Sequence, residues 1–523
     1  MKNFYVTTPI YFPNANPHLG TAYCTIMADI LARYHRLKKD DTYFLTGTDE
    51  HGLKIFEKAK QAHKTPQEFV DEIAVNFKKL WKTLSISNDD FIRTTETRHM
   101  KVAQSIFSKL LKNDDIYLGH YEGWYCVPCE SFWTNTQVGE ARICPECGRP
   151  VITAKEETYF FRTNKYLEQL KAHFEKHPDF LLPINRKNEM FNTFINQGLN
   201  DLSVSRTSFT WGVPILENPQ HVMYVWIDAL ANYISALGYD SIDDQKFIKF
   251  WEQGEVVHLL GADITRFHAI YWPMILMALG LKVPNRLFVH GLIMTKDGKM
   301  SKSKGNTIDP FGLINLYGAD VLRYYCAREI KFGEDGVFTP EQFIERTNAD
   351  LVNNYGNLVN RTLSMINKYY DGIIPDFVSG VNKEDASLEK RCLDVIKEVD
   401  SLMEELKITE ALGVILELVD MANKYIELTT PWILAKEQRH EALKSVMAHL
   451  AHVIYVATML LSPVLVTTHA AALDQLGVDA TIRDYAKLSQ FGVLNQGKIV
   501  GPTPLLPRLD VTKEVERIKE IIK

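Results

Sequence analysis

Arg286-Leu287-Phe288-Val289-His290-Gly291-Leu292-Ile293-Met294 leads into Lys296-Asp297-Gly298-Lys299-Met300-Ser301-Lys302-Ser303-Lys304-Gly305. The first stretch is an apolar run and reads as a buried strand. The second holds four lysines, two serines and two glycines in ten residues. A lysine-dense loop directly after a strand suits the gripping of a polyphosphate whose charge redistributes during reaction. Composition alone does not separate it from a solvated surface loop. The order Lys299-Met300-Ser301-Lys302-Ser303 is more specific than that composition, and a phosphate-gripping role can be checked against the rest of the chain.

That check begins at the N-terminus. Phe4-Tyr5-Val6-Thr7-Thr8 is rich in strand formers, and three prolines between Pro9 and Pro17 end it. After His18-Leu19-Gly20, apolar residues recur at helical spacing: Ala22, Ile26, Met27, Ile30, Leu31 and Tyr34. His18 and Gly20 therefore stand at a helix N-terminus, where free N–H groups and partial positive charge suit phosphate. Thr42 to Gly47 reads as a second strand, with Asp49-Glu50-His51-Gly52 at its C-terminal end. Ligands of open α/β sheets bind at that edge, and a carboxylate there suits an ammonium group. Residues 57–115 read as helical, with Phe69, Ile73, Phe77, Leu80 and Trp81 on one face.

Cys126-Val127-Pro128-Cys129 and Cys144-Pro145-Glu146-Cys147-Gly148 form a Cys-x2-Cys-x14-Cys-x2-Cys pattern. Four thiolates suit one closed, tetrahedral structural zinc with no position open to water. Cys24, Cys326 and Cys392 lack partners at ligand spacing and read as small core residues. Downstream, Val256 to Gly261 reads as another buried strand, and rings gather near it: Trp226, Tyr233, His268 and Trp272, with Tyr11 from the N-terminal segment. Such a pocket suits a polarizable thioether, because sulfur packs favourably on aromatic rings.

The bulk numbers fit a multidomain globular chain. It has 523 residues, 46% hydrophobic and 24% charged, with a formal net charge of −6; length alone points to about three domains. No uninterrupted apolar run of eighteen residues occurs, so no membrane span is expected. No secretory leader is seen, and the paired cysteines fit a reducing, cytoplasmic setting. The acidic total argues mildly against nucleic-acid binding but leaves room for a local basic groove.

The lysine loop, His18-Leu19-Gly20, Pro9-Ile10-Tyr11, Asp49-Glu50-His51-Gly52, the four cysteines, Tyr224-Val225-Trp226-Ile227-Asp228-Ala229 and Phe267-His268-Ala269-Ile270-Tyr271-Trp272-Pro273 together resemble the methionyl-tRNA synthetase family of class I aminoacyl-tRNA synthetases. The resemblance implies an α/β fold: a Rossmann-like parallel-sheet catalytic domain split by a zinc-knuckle insertion, then an all-α helix-bundle anticodon-binding domain. The expected boundaries are 1–115 and 223–295 for the two catalytic halves, 116–222 for the insertion, 296–340 for the lysine loop and stem-contact region, and 341–523 for the helical domain. It implies catalytic His18, Gly20, Lys299 and Lys302, with Thr21, Gly261 and Ser301 joining them around ATP. Pro9, Ile10, Tyr11, Asp49, Trp226, Ala229, Leu230, Tyr233 and His268 would hold methionine, Asp49 through its amino group. Cys126, Cys129, Cys144 and Cys147 would hold one structural Zn ion, and Mg would arrive with ATP. The family signature reads His-x-Gly-His; Thr21 stands at its fourth place and offers no imidazolium. Leu230 occupies a position that is often proline.

After about residue 340 long amphipathic stretches dominate, as in a helix bundle. Asn357 and Arg361, four apart, share a helix face and can read splayed bases. Asn423 beside Tyr425, and Pro431-Trp432, pair base-reading and stacking types. By the resemblance Asn357, Arg361, Pro431 and Trp432 meet the anticodon of tRNA(Met), initiator and elongator alike. The expected partners are ATP, L-methionine and that tRNA, with no membrane. No appended β-barrel of the kind that dimerises some relatives is seen, so a monomer is expected. The competing readings are a class I synthetase for another amino acid, a zinc-bearing RNA-binding protein without ligase activity, and a small-molecule nucleotidyltransferase of the same fold. An enzyme for an aliphatic amino acid would need a large editing domain, for which the knuckle-filled insertion leaves little room.

Overall fold

The computed structural model describes residues 2–126, 131–133, 135–145, 147–296, 298–299 and 307–522. It divides into two compact units. The first comprises Met1–Pro17, Asp41–Trp81 and Ser87–Gly291; the second comprises His18–Asp40, Lys82–Ile86 and Leu292–Lys523.

A six-stranded sheet organises the first unit. Its order is Asp90–Arg93, Asp41–Thr48, Asn3–Thr7, Glu255–Gly261, Arg286–His290 and Leu181–Leu182, and every pairing is parallel. Strand order reverses at Asn3–Thr7, which pairs with Asp41–Thr48 on one side and Glu255–Gly261 on the other. The C-terminal edge at such a switch point is where doubly wound sheets bind ligands. Both faces are covered, so the strands are almost wholly apolar: Phe4, Tyr5, Val6, Val256, Val257, Leu259 and Leu260 are all buried.

Two expectations change here. The region 57–115 is not helical throughout. Helices Pro66–Thr83 and Thr97–Lys112 flank the strand Asp90–Arg93, which its pairing with Asp41–Thr48 makes a strand. On the first of these helices Val70 is buried and Phe69 only half-buried. The apolar run from Arg286 is also not one strand: Arg286–His290 completes the parallel sheet, and Ile293–Thr295 starts again after Gly291-Leu292 in a small sheet of the second unit. Apolarity marks both pieces as buried without marking the break.

The insertion is built on an antiparallel sheet in the order Ser131–Trp133, Ile116–Cys126, Ile152–Phe161, Leu202–Ser203. Cys126, Trp133, Val138, Cys144 and Val151 form a small core of their own at its far end.

The second unit is mainly helical. The helix that carries His18-Leu19-Gly20, Leu19–Leu37, belongs to it and is held by a buried charge. Asp29 is fully buried and pairs with Arg323 Nη1 at 2.8 Å and Arg33 Nε at 2.7 Å. Arg323, equally buried, also donates to the carbonyls of Val464, Pro463 and Leu84. Five helices carry most of the rest: Ala319–Arg328, Asn357–Tyr370, Asp385–Glu404, Ile408–Thr429 and His440–Leu461. The last is long and apolar enough to cross a membrane by length and composition, but 94% of its apolar window is buried. That is the position of a bundle's central helix.

Arg323→Met should destabilise the protein by about 3–5 kcal/mol, because Asp29 loses its buried partner and three carbonyls lose their donor. Urea unfolding measures it; a loss below about 1 kcal/mol would show that Arg33 alone satisfies Asp29.

Candidate active site

The first unit's site is assembled where three strands end. Tyr11 lies against Thr48 in a parallel bridge. Its N–H donates to the Gly47 carbonyl at 2.9 Å, and the Asp49 N–H donates to the Tyr11 carbonyl at 2.9 Å. Gly47 is required here, since a Cβ would sit 2.0 Å from the Ile92 carbonyl oxygen. The chain leaving the first strand and the loop leaving the second are thus clasped together, which places Pro9, Ile10, Tyr11 and Asp49 side by side.

The two residues after Asp49 anchor that loop. Glu50 is fully buried and accepts from Thr48 Oγ1 and Arg93 Nε, each at 2.6 Å. His51 Nδ1 lies 2.7 Å from Asp228 Oδ2, and Asp228 Oδ1 lies 2.7 Å from His99 Nε2. His99 Nδ1 reaches Ser235 Oγ at 2.8 Å. Asp228 is wholly buried. Burial pushes its carboxyl up, but the two imidazoles outweigh that and hold it at about 2. Sequence reasoning read Asp49 as the functional member and missed Glu50, His51, His99 and Asp228 as its support. The signal was partial: three ionisable groups stand in a row at a sheet edge, and any of them that turns inward needs a buried partner.

The ring-rich segments meet beyond this loop. Trp226 stacks on Phe267 with centroids 3.8 Å apart and planes 6° apart, and the His268 ring stands edge-on to Trp226 at 6.2 Å. His268 Nδ1 lies 3.0 Å from the Ile264 carbonyl and Nε2 lies 2.7 Å from Tyr233 Oη. A carbonyl only accepts, so Nδ1 carries the proton and Nε2 accepts from the tyrosine. Burial lowers the His268 pKa to about 4, leaving the ring neutral at physiological pH. Ala229, Leu230 and Trp272 are buried beside these rings, and Tyr11 stacks on Phe77 at 5.7 Å. Gly261 ends its strand half-buried, where a Cβ would approach Asp263 Oδ1 to 2.8 Å.

His18, Gly20 and Thr21 lie in the second unit. His18 caps the helix Leu19–Leu37: its backbone is extended, and its Nδ1 accepts from the Gly20 N–H at 3.1 Å. His18 and Gly20 are half-buried and Thr21 is buried. The backbone of Lys299 pairs with Met294 in a short strand; Ser301 and Lys302 lie outside the described residues.

Asn357 and Arg361 open onto a groove of the second unit shared with Asn353, Asn354, Asn423 and Lys424. Arg361 pairs with Glu427 at 2.7 Å, and Asn423 Nδ2 donates to Asn354 Oδ1 at 2.9 Å. Trp432 is 43% exposed while Pro431 is buried. Tyr425 is buried with its hydroxyl on Asp385 at 2.7 Å, which removes it as a stacking candidate.

In the insertion the sulfurs of Cys126, Cys144 and Cys147 all lie within 4.8 Å of one another, Cys126 and Cys147 at 3.5 Å. Tetrahedral thiolate sites with metal–sulfur bonds of about 2.3 Å have sulfurs about 3.8 Å apart, so these three can hold a metal ion. The turn is closed by the Gly148 N–H on the Cys144 carbonyl at 2.9 Å, with Gly148 at φ +68°. Cys129 lies outside the described residues.

Comparison with known proteins gives two family matches, the first of which includes segments of both units. The family described as "tRNA synthetases class I (M)" matches residues 4–151 and 147–363, and "Anticodon-binding domain of tRNA ligase" matches 385–523. Asn357 and Arg361 therefore fall within the first match and Trp432 within the second. The methionine–tRNA ligase of Bacillus subtilis (strain 168) is 50% identical over 99% of this chain and 80% of its own length. That of Halalkalibacterium halodurans is 50% identical over 100% of this chain and 80% of its own. Among solved structures, Mycobacterium tuberculosis methionyl-tRNA synthetase in complex with methionyl-adenylate superposes with a TM-score of 0.93 and 39% identity. The match covers 97% of this chain and all of that one.

Because the Asp228 carboxyl is depressed in the folded state, its contribution to stability is complete above the ordinary carboxylate value of ~3.9 and is lost as pH falls through about 2. The unfolding free energy of Asp228→Asn should therefore fall less steeply between pH 4 and 2 than that of the unmodified chain. Parallel urea titrations check this, and equal slopes would refute it.

Proposed function

The chain belongs to the methionyl-tRNA synthetases of class I, and from that premise we propose how its residues carry the two steps of methionine–tRNA ligation. The observation that carries the reading is the neutral His268, held by Tyr233 beside the Trp226–Phe267 stack at the sheet edge where Asp49 also emerges. A neutral imidazole and aromatic faces accept a thioether without the desolvation cost that a charged ring would add. Asp49 takes the ammonium group. Pro9, Ile10, Tyr11, Ala229 and Leu230 complete the wall, and their fixed backbone pre-orients the carboxylate.

In the first step a methionine carboxylate oxygen bonds to the α-phosphorus of ATP, and the bond from that phosphorus to the β-phosphate bridge breaks, releasing pyrophosphate. In the second a ribose hydroxyl of the terminal tRNA adenosine attacks the acyl carbon and AMP leaves. Neither step needs an enzyme nucleophile. The chain's part is positioning and stabilisation of charge on phosphate oxygens. His18 with the helix N-terminus behind it, Gly20, Thr21, Gly261, Lys299, Ser301 and Lys302 are the groups assigned to that charge, and Mg enters with ATP. A buried Thr21 contributes at most one hydrogen bond, which shifts more of the charge onto the lysines.

Cys126, Cys129, Cys144 and Cys147 are the residues that would hold one zinc, whose chemistry there is structural: it ties the insertion's turns together. Such a thiol set needs a reducing compartment, which supports a cytoplasmic enzyme, and a monomer is its proposed working state. Asn357, Arg361, Pro431 and Trp432 are the groups proposed to read the anticodon, with Trp432 exposed for stacking.

The reading is tested by ATP–pyrophosphate exchange with each of the twenty amino acids; exchange with methionine alone is expected, and exchange with another amino acid would overturn it. Lys302→Ala should lose about 3 kcal/mol of transition-state stabilisation in that assay while methionine binding is retained; unchanged exchange would remove the assignment. Trp432→Ala should leave exchange within twofold but cut tRNA charging at least tenfold. Equal losses in both assays would place its effect elsewhere.

A further inference from the structure

The segment after Gly261 is irregular. A 3₁₀ turn, Ala262–Ile264, gives way to a π turn, Phe267–Tyr271, before the α-helix Trp272–Ala278 begins. Short 3₁₀ and π turns of this kind depart from the α-helical ladder and are frequent at functional sites. Phe267 and His268, which meet Trp226 by face and by edge, are the first two residues of the π turn. Arg266 sits immediately before them.

The Arg266 guanidinium lies 4.8 Å from the Phe267 ring centroid, 5.2 Å from that of Phe194 and 5.0 Å from that of Trp133. Phe267 and Phe194 pack with the main core of the first unit. Trp133 is 3% exposed and belongs to the small core that contains Cys126 and Cys144. One planar cation thus joins two hydrophobic clusters, with the thiol site on one side and the Trp226–Phe267 stack on the other. A guanidinium can face several rings at once, which an ammonium on a flexible stem does poorly.

We propose that Arg266, clasped by Trp133, Phe194 and Phe267, is a positioning residue that sets the Trp226–Phe267 wall and makes methionine affinity depend on the folded knuckle. This rests on the reading of Trp226 and His268 as the methionine pocket. The knuckle then acts on amino-acid recognition through ring contacts rather than through any group it presents to substrate.

The test uses the full chain with its metal bound and measures methionine affinity without ATP, by calorimetry and by tryptophan fluorescence. Arg266→Met keeps the stem and volume but removes the cation. It should raise the methionine Kd and KM about tenfold, with kcat, the KM for ATP and the metal content within twofold of the unmodified chain. Arg266→Lys should recover part of that loss. Trp133→Leu should shift methionine affinity in the same direction, and the double variant should be no weaker than the weaker single variant, because the two act through one contact. A methionine Kd within twofold of the unmodified chain for Arg266→Met, or losses that multiply in the double variant, would overturn the proposal. Trp226→Ala separates the two levels. If it leaves methionine affinity unchanged, the pocket reading and this inference both fall. If it weakens binding while Arg266→Met does not, only this inference falls.

Discussion

A parallel sheet must be covered on both faces, and that constraint arranges the first unit. Its strands are apolar on both sides, so they carry no chemistry themselves. Polar function is displaced to where strands end, and because all six run the same way, those ends share one edge. The reversal of order at Asn3–Thr7 separates the loops on its two sides and leaves room for a ligand. Tyr11, Asp49 and Gly261 are all leaving that edge.

The same constraint explains the buried charges. Loops that carry recognition groups into a low-dielectric edge must have their remaining ionisable residues paired. Glu50 is answered by Arg93, and Asp228 by His51 and His99. In the second unit Asp29 is answered by Arg323 and Arg33. Asp49, at the same edge, is half-buried. The pocket's polarity is set in a similar way: His268 is kept neutral by burial and oriented by the Ile264 carbonyl and the Tyr233 hydroxyl.

Much of this was legible in the residues. The two Cys-x-x-Cys pairs, the strand-to-helix change at His18-Leu19-Gly20 and the strand before Asp49 are local patterns that are visible without a fold. Apolar periodicity located the helical region after residue 340. It did not locate the strand Asp90–Arg93, because four residues between two helices show no periodicity; pairing with Asp41–Thr48 makes them a strand. It also joined Arg286–His290 to Ile293–Thr295, since both are apolar and the break between them is a change of sheet. Tyr425 and Trp432 looked alike as aromatics near asparagine or proline, and only burial separated them.

By itself the sequence determined the family, the fold class and the spacing of the paired cysteines, because these depend on residue types at short separations. The lysine loop could be recognised in that way although much of it lies outside the described residues. The tertiary structure decided which charges support which: the pairing of Asp228 with His51 and His99, the hold of Arg323 on the signature helix, and the place of Arg266 between two cores. Those contacts join residues up to hundreds of positions apart. No local period encodes them; packing does, by requiring every buried charge to find a partner.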